Sequence, residues 1–133
     1  MPDNGLTTLP SAHDVATTLA RLLAALAEKK ITVFARIDHA AGAASVGLAL
    51  RPTTLVIFGN PAVGTPLMQT AQSAGIDLPL KALVWRDADG TVKLTYNDPA
   101  WIAARHHLGD GVAQPVTTLA MVLANLARVA TQA

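Results

Sequence analysis

Three side chains in this sequence have no evident folding duty: His39, Lys81 and His106. An imidazole beside a carboxylate, as in Asp38-His39, has the makings of a general base or a ligand. Successive strand residues point to opposite faces, so Asp38 need not orient His39, and capping the following turn is its simpler duty. Lys81 interrupts the apolar segment Leu78-Pro79-Leu80-Lys81-Ala82-Leu83, where an ammonium suits contact with an anion or snorkels from an edge strand. His106 lies in Arg105-His106-His107, at a helix C-terminus where cations meet the negative end of the dipole. Neutral imidazole is also the commonest transition-metal donor, which makes His39 and His106 the candidate pair for a metal or a haem. Adjacent histidines on a helix diverge by ~100°, so Asp38, Asp98 or a partner chain would have to complete such a shell. Met68, at helical spacing, is expected in the core before it is expected on a haem iron.

Asn60 and Tyr96 complete the candidates. Gly59-Asn60-Pro61-Ala62-Val63-Gly64-Thr65 has the look of a phosphate loop but lacks the dinucleotide fingerprint and the Walker Lys-Ser/Thr ending. Its helix-start amides remain suitable anion donors, while its Asn, Gly and Pro residues are explained first by a tight strand-to-helix turn. Tyr96-Asn97-Asp98-Pro99 places a phenol at a strand end, followed by an aspartate cap and a helix-starting proline.

The elements that must position these groups follow from periodicity. A short extended piece, Leu6 to Leu9, precedes a helix over residues 12–29, with Ser11 as N-cap and Asp14 completing a capping box. Ile31, Val33, Ala35 and Ile37 alternate with Thr32, Phe34, Arg36 and Asp38, the period-two signature of a strand. Small residues from His39 to Ser45 suit a helical turn or a closely packed loop. Leu55 to Phe58 is continuously apolar and is expected to be a strand buried on both faces. Thr65-Pro66 then opens a helix, and a right-handed crossover would set the strand Leu80 to Arg86 parallel to Leu55–Phe58. Asp87-Ala88-Asp89-Gly90 is a hairpin turn into a strand from Val92 to Tyr96. Asp98-Pro99 starts a helix reaching about His107, and Pro115 opens a last one.

Composition sets the bounds. The 133 residues are half hydrophobic (51%) and carry a formal charge of only +1, without clustered basic residues, so nucleic-acid binding by phosphate neutralisation is not expected. The absence of cysteine excludes disulfides, thiolate zinc sites and cysteine nucleophiles. Met1-Pro2-Asp3-Asn4-Gly5 shows no basic region leading into an apolar run, and no apolar stretch approaches the ~20 residues of a membrane span. A soluble cytoplasmic protein with neither membrane nor nucleic-acid partner is therefore expected.

The middle of the chain resembles a known family, domain of unknown function 302. The resemblance rests on Phe34-Ala35-Arg36-Ile37-Asp38-His39-Ala40-Ala41, Arg51-Pro52-Thr53, Phe58-Gly59-Asn60-Pro61 and Gly64-Thr65-Pro66-Leu67-Met68-Gln69. It continues in Ile76-Asp77-Leu78-Pro79-Leu80-Lys81, Leu83-Val84-Trp85, Tyr96-Asn97-Asp98-Pro99 and Ala104-Arg105-His106. It implies a compact α+β domain that tends to pair into dimers, and it supplies no activity. The sequence departs from the family pattern at Arg86, where an acid usually follows the tryptophan, so a carboxylate role there is not carried over.

The expected fold is α+β: one domain over residues 1–133, with a mixed sheet of about five strands and helices mainly on one face. Residues 5–108 form the family-like core, and 109–133 a loop and C-terminal helical extension. The expected function is a homodimeric small-ligand or regulatory module, with a small anion one candidate ligand. Its pocket would gather Asp38, His39, Asn60, Lys81 and Tyr96, with His106 a further ligand-binding candidate. The alternatives are a small enzyme using His39 or His106 as acid/base with Lys81 as electrostatic stabiliser, a metal or haem protein through His39 and His106, or a purely structural dimerisation module.

Overall fold

The computed structural model describes residues 4–133; Met1-Pro2-Asp3, part of the stretch read for a leader, lies outside the described residues. In chain order the elements are β1 (Leu6–Pro10), α1 (Val15–Glu28), β2 (Thr32–Asp38), α2 (His39–Ser45), β3 (Thr53–Gly59) and α3 (Pro61–Thr70). A 3₁₀ helix (Gln72–Asp77) leads into β4 (Leu80–Arg86), β5 (Val92–Asn97), α4 (Pro99–Arg105), a 3₁₀ turn (Asp110–Val112) and α5 (Ala113–Thr131).

The five strands form one sheet in the order β1-β5-β4-β3-β2, and every neighbouring pair is antiparallel. The α+β class, the strand number and the C-terminal helix agree with expectation. The parallel crossover does not. Phe58 faces Leu80 across the β3–β4 ladder, so residues 60–79 leave the sheet and re-enter it at the same end. A link of that length containing a helix suits either geometry, which is why strand-helix-strand order alone misleads.

Alternation decides the layers. Val56, Phe58, Ala82, Val84 and Leu94 are almost fully buried beneath the helices. Leu19, Leu22 and Leu26 of α1 and Leu119, Leu123 and Leu126 of α5 supply the covering apolar surface. Each such side chain contributes about 1.5–3 kcal/mol when fully buried, so α5 belongs to the core and is not an appended extension. Leu55 and Ile57 point away from this core and stay half-buried, correcting the expectation of a strand enclosed on both faces.

Among the described residues, no helix layer covers that second face. Register places Thr8, Thr95, Leu83, Leu55 and Ile37 in one row across all five strands. Pro10, Lys93, Trp85 and Thr53 form the row beside it. Lys93 lies 5.2 Å from the Trp85 ring centre and pairs with Asp87 at 2.5 Å, while the Trp85 indole donates to the Thr95 hydroxyl at 2.9 Å. The loop between α2 and β3 exposes Val46, Leu48 and Leu50.

Two caps move relative to the sequence reading. Asp14 rather than Ser11 caps α1, accepting from the Thr17 amide at 2.7 Å, and Ser11 instead accepts from the His13 amide at 3.1 Å. Asn60-Pro61 rather than Thr65-Pro66 opens α3: both pairs have the cap-proline pattern, and the one nearer the strand end is used. Pro66 therefore sits inside the helix.

Candidate functional site

The candidate residues fall at two opposite ends of the sheet. Asp38 faces Thr54 at the start of β3, whereas Lys81 faces Ile57 near its end. His39 is thus separated from Lys81 by about four residues along the sheet and two strands across it, roughly 16 Å at standard spacings. The expected single pocket containing Asp38, His39, Asn60, Lys81 and Tyr96 does not form within one chain. Antiparallel β2–β3 pairing is the cause, because it sets the end of β2 beside the beginning of β3.

Asp38 caps α2, accepting from the Ala41 amide at 2.9 Å, and the helix it starts has no buried residue. His39, first in that helix, is exposed. Tyr96 packs half-buried against the core, where burial raises its phenol above the ordinary range, and it lines neither main cavity. Lys81 donates to the backbone carbonyls of Asp77 at 3.3 Å and Pro79 at 3.1 Å. Its ammonium therefore ties down the turn before β4. Burial lowers its pKa, and the neighbouring Asp77 charge opposes that shift.

Asn60 stands at a cavity. Its side chain accepts from the Ala62 amide at 3.0 Å, and a cleft of about 240 Å³ opens beside it. Phe34, Pro61, Met68, Leu78, Pro79, Leu80 and Leu119 supply its largely apolar wall, with Asn60 and Thr65 its polar contributors. A second cavity of about 250 Å³ shares Gly59, Asn60, Leu80 and Leu119 and continues toward Lys29, Phe58 and Val122. Phe34 reaches the first cleft because β2 slips register between Val33 and Ala35. Sequence alternation set Phe34 among the polar residues of that strand, and an aromatic ring in the polar phase was the available cue. Met68 lines the cleft, in keeping with a packing role.

His106 is part of a polar cluster apart from both cavities. As the C-cap of α4 it meets the 3₁₀ helix Gln72–Asp77, and its Nε2 lies 2.6 Å from Asp77 Oδ2. Its Nδ1 lies 3.2 Å from Ser73 Oγ. Arg105 donates through Nη1 to both Asp77 oxygens, at 3.1 and 3.2 Å, and its guanidinium lies 5.7 Å from the Trp101 ring centre. The His106 side chain is 8% exposed and the Asp77 side chain 17%. Ser73, Asp77 and Arg105 were not among the candidates, since 28 to 33 residues separate the partners. A lone aspartate in the apolar run Ile76–Leu80 was the one local sign.

His39 and His106 lie at opposite ends of the sheet, so one chain cannot use both on one metal or haem. Among the described residues, no group of three or more His, Asp or Glu side chains is arranged to hold a metal ion.

This is an antiparallel five-stranded α+β domain with one helix-covered face, an apolar cleft at a strand end and a separate Ser-His-Asp cluster. Its family is equally definite: the family described as domain of unknown function DUF302 matches residues 7–126, and the chain belongs to it. The match runs well into α5, beyond the residue-108 boundary expected from sequence. The crystal structure of an uncharacterized conserved DUF302 protein from Bacillus stearothermophilus superposes with a TM-score of 0.82, covering 95% of this chain and 98% of that one. At 18% identity that likeness shows the fold alone. Fluoride-specific ion channel FluC 1 of Brucella suis is 53% identical over 107 residues, 80% of this chain and 42% of the relative. FluC 2 of Brucella melitensis is 53% identical over the same length, 40% of that protein. The chain therefore spans about two-fifths of the curated relatives it matches. Among the described residues one helical stretch, Asp110–Thr131, has the length and hydropathy of a membrane span. It includes the core-packed α5.

Proposed function

We propose that this chain is a homodimeric small-ligand module with a regulatory role, and that its ligand enters the cleft beside Asn60. The cleft is the observation that carries the reading. An apolar cavity of about 150 Å³ holds benzene, so about 240 Å³ suits a somewhat larger molecule, such as a substituted aromatic or a short acyl group. Its scarce polar groups, Asn60 and Thr65, suit one hydrogen-bonding substituent on an otherwise apolar ligand. An anion is the poorer fit, because Lys81 is committed to two carbonyls and does not line the cleft.

The dimer reading rests on the sheet face that no helix covers. Ile37, Leu55, Ile57, Leu83 and Trp85 lie on it, and Val46 and Leu48, in the loop that leads into β3, are 70% and 67% exposed. A second copy applied about a two-fold axis would cover both. The regulatory reading draws support from the Brucella relatives, in which a similar segment is a minor part of longer proteins named as fluoride channels.

A thermal-shift and calorimetric screen tests ligand binding, using substituted phenols, short-chain fatty acids and sodium fluoride against sodium chloride. Stabilisation by an apolar compound should disappear in Thr65→Trp, which fills the cleft from an exposed position. A shift that survives this plug removes the cleft from the reading, and a shift specific to fluoride replaces the apolar ligand with the anion. Sedimentation tests the dimer: wild type should be dimeric and Leu48→Asp monomeric with unchanged circular dichroism. A monomeric wild type refutes that half.

A further inference from the structure

The Ser73–His106–Asp77 cluster lies outside the ligand cleft and has its own chemical logic. An ionised carboxylate only accepts hydrogen bonds, so its 2.6 Å contact with His106 Nε2 requires the proton on that nitrogen. In the neutral imidazole Nδ1 is then the unprotonated nitrogen, and it lies 3.2 Å from the Ser73 hydroxyl, within reach as proton acceptor. The order hydroxyl–imidazole–carboxylate is that of a nucleophile triad, with the two ring nitrogens exchanged relative to the serine-protease arrangement. Such constellations are recognised by geometry and role rather than sequence order. Arg105 grips both oxygens of Asp77 and so fixes the carboxylate that fixes the imidazole. Ser73 is exposed, while His106 and Asp77 are largely shielded, leaving the hydroxyl as the accessible member.

We infer that Ser73 is an acyl-accepting nucleophile activated by His106, acting on small carboxylic esters. Ser73 Oγ would attack the ester carbonyl as its proton passes to His106 Nδ1. The carbon–oxygen bond to the alcohol breaks, and His106 returns the proton to the departing alkoxide. Water, deprotonated at the same nitrogen, then attacks the acyl-serine, releasing the acid and restoring the hydroxyl. Ester and water become acid and alcohol. Asp77 is a positioning residue in this scheme. Neither cavity is lined by Ser73 or His106, so the site suits a small ester presented from solvent rather than a long chain threaded through the domain.

The experiment uses the full chain with a fluorophosphonate probe and p-nitrophenyl acetate. Intact mass and peptide mapping should show one phosphonyl adduct, on Ser73, absent in Ser73→Ala. His106→Gln should slow labelling and acetate release about 10²-fold or more, the usual worth of a general base. For Asp77→Asn the readout is the ¹⁵N spectrum of His106: the proton should sit on Nε2 in wild type and lose that preference in the variant. No adduct on Ser73, acetate release no faster than that of Ser73→Ala, or labelling that persists unchanged in folded His106→Gln each overturns the proposal. Ser73→Ala alters an exposed side chain and stays folded, so the comparison holds even if the Asp77 variant does not.

Discussion

Replacing Gly5 with alanine should destabilise the domain more than the same change at Gly47, although the two share the same positive φ. Both have φ of +76°, where an L side chain costs about 1–2 kcal/mol. Their surroundings differ. A Cβ at Gly47 meets nothing within 4 Å, but at Gly5 it would lie 2.4, 2.6 and 2.9 Å from three atoms of the Trp101 ring. Forcing a ring aside in a packed site adds about 1–3 kcal/mol. Gly47→Ala is therefore expected to cost about 1–2 kcal/mol, and Gly5→Ala about 2–5. Urea unfolding followed by circular dichroism measures both. With a slope of about 1–3 kcal/mol per molar, the Gly5 midpoint should fall below the Gly47 midpoint by roughly 1 M. The consequence reaches the polar cluster, since the Gly5 carbonyl accepts from the Asp98 amide at 2.8 Å where α4 begins. Moving Trp101 displaces the helix that carries Arg105 and His106, so the His106 ring resonances should shift in Gly5→Ala and stay put in Gly47→Ala. Equal midpoints would refute the packing argument and detach β1 from the placement of α4.

Two further outcomes follow from the core and from the helix caps. Leu126→Ala should cost about 2–5 kcal/mol, while Met121→Ala on the exposed side of the same helix stays within about 0.5, as measured by denaturant midpoints. Comparable values would return α5 to the status of an appendage. Asp14 has its carboxyl held below the usual range, first by the Thr17 amide it caps, so its stabilising effect is complete above the ordinary carboxylate pKa and is lost as pH falls through the lowered one. Asp14→Asn keeps a capping oxygen but cannot titrate, and should flatten the acid side of a melting-temperature profile while leaving neutral pH nearly unchanged. An acid limb identical to wild type would assign acid sensitivity to other groups, such as Asp87, whose carboxyl is lowered chiefly by its bond to Lys93.

Local chemistry was the legible part of this sequence. The turn at Asp87–Gly90 is as expected, with the Gly90 amide donating to the Asp87 carbonyl at 3.0 Å and φ of +89° at Gly90. Asp98 caps α4 with Pro99 at its start, and β5 buries Val92 and Leu94 as its alternation requires, whereas the register slip between Val33 and Ala35 breaks the alternation expected of β2. Relations between distant elements were less legible. A strand, a helix and a strand do not state whether the second strand runs with the first or against it, and that one choice decided whether His39 could meet Lys81. Nor does any local pattern tell Ser73 and Asp77 that His106 will be folded against them. Asn60 was singled out for helix-start amides, and the structure keeps its capping role while adding the cleft. Phe34 needed a register slip that no propensity announces.

The return of residues 60–79 to the sheet end they left makes them a replaceable piece. One side of the cleft and two members of the polar cluster reside in this excursion, whose covalent joints to the sheet, Gly59 and Leu80, lie side by side at one end of the β3–β4 ladder. Segments of different length and sequence that keep the buried Leu67 and Ala74 positions filled could be exchanged between those joints without altering a ladder hydrogen bond. A scaffold wired in this way lets recognition diversify while its foundation stays constant, and grafting the equivalent segment from one homologue onto another becomes a practical way to move a specificity between them.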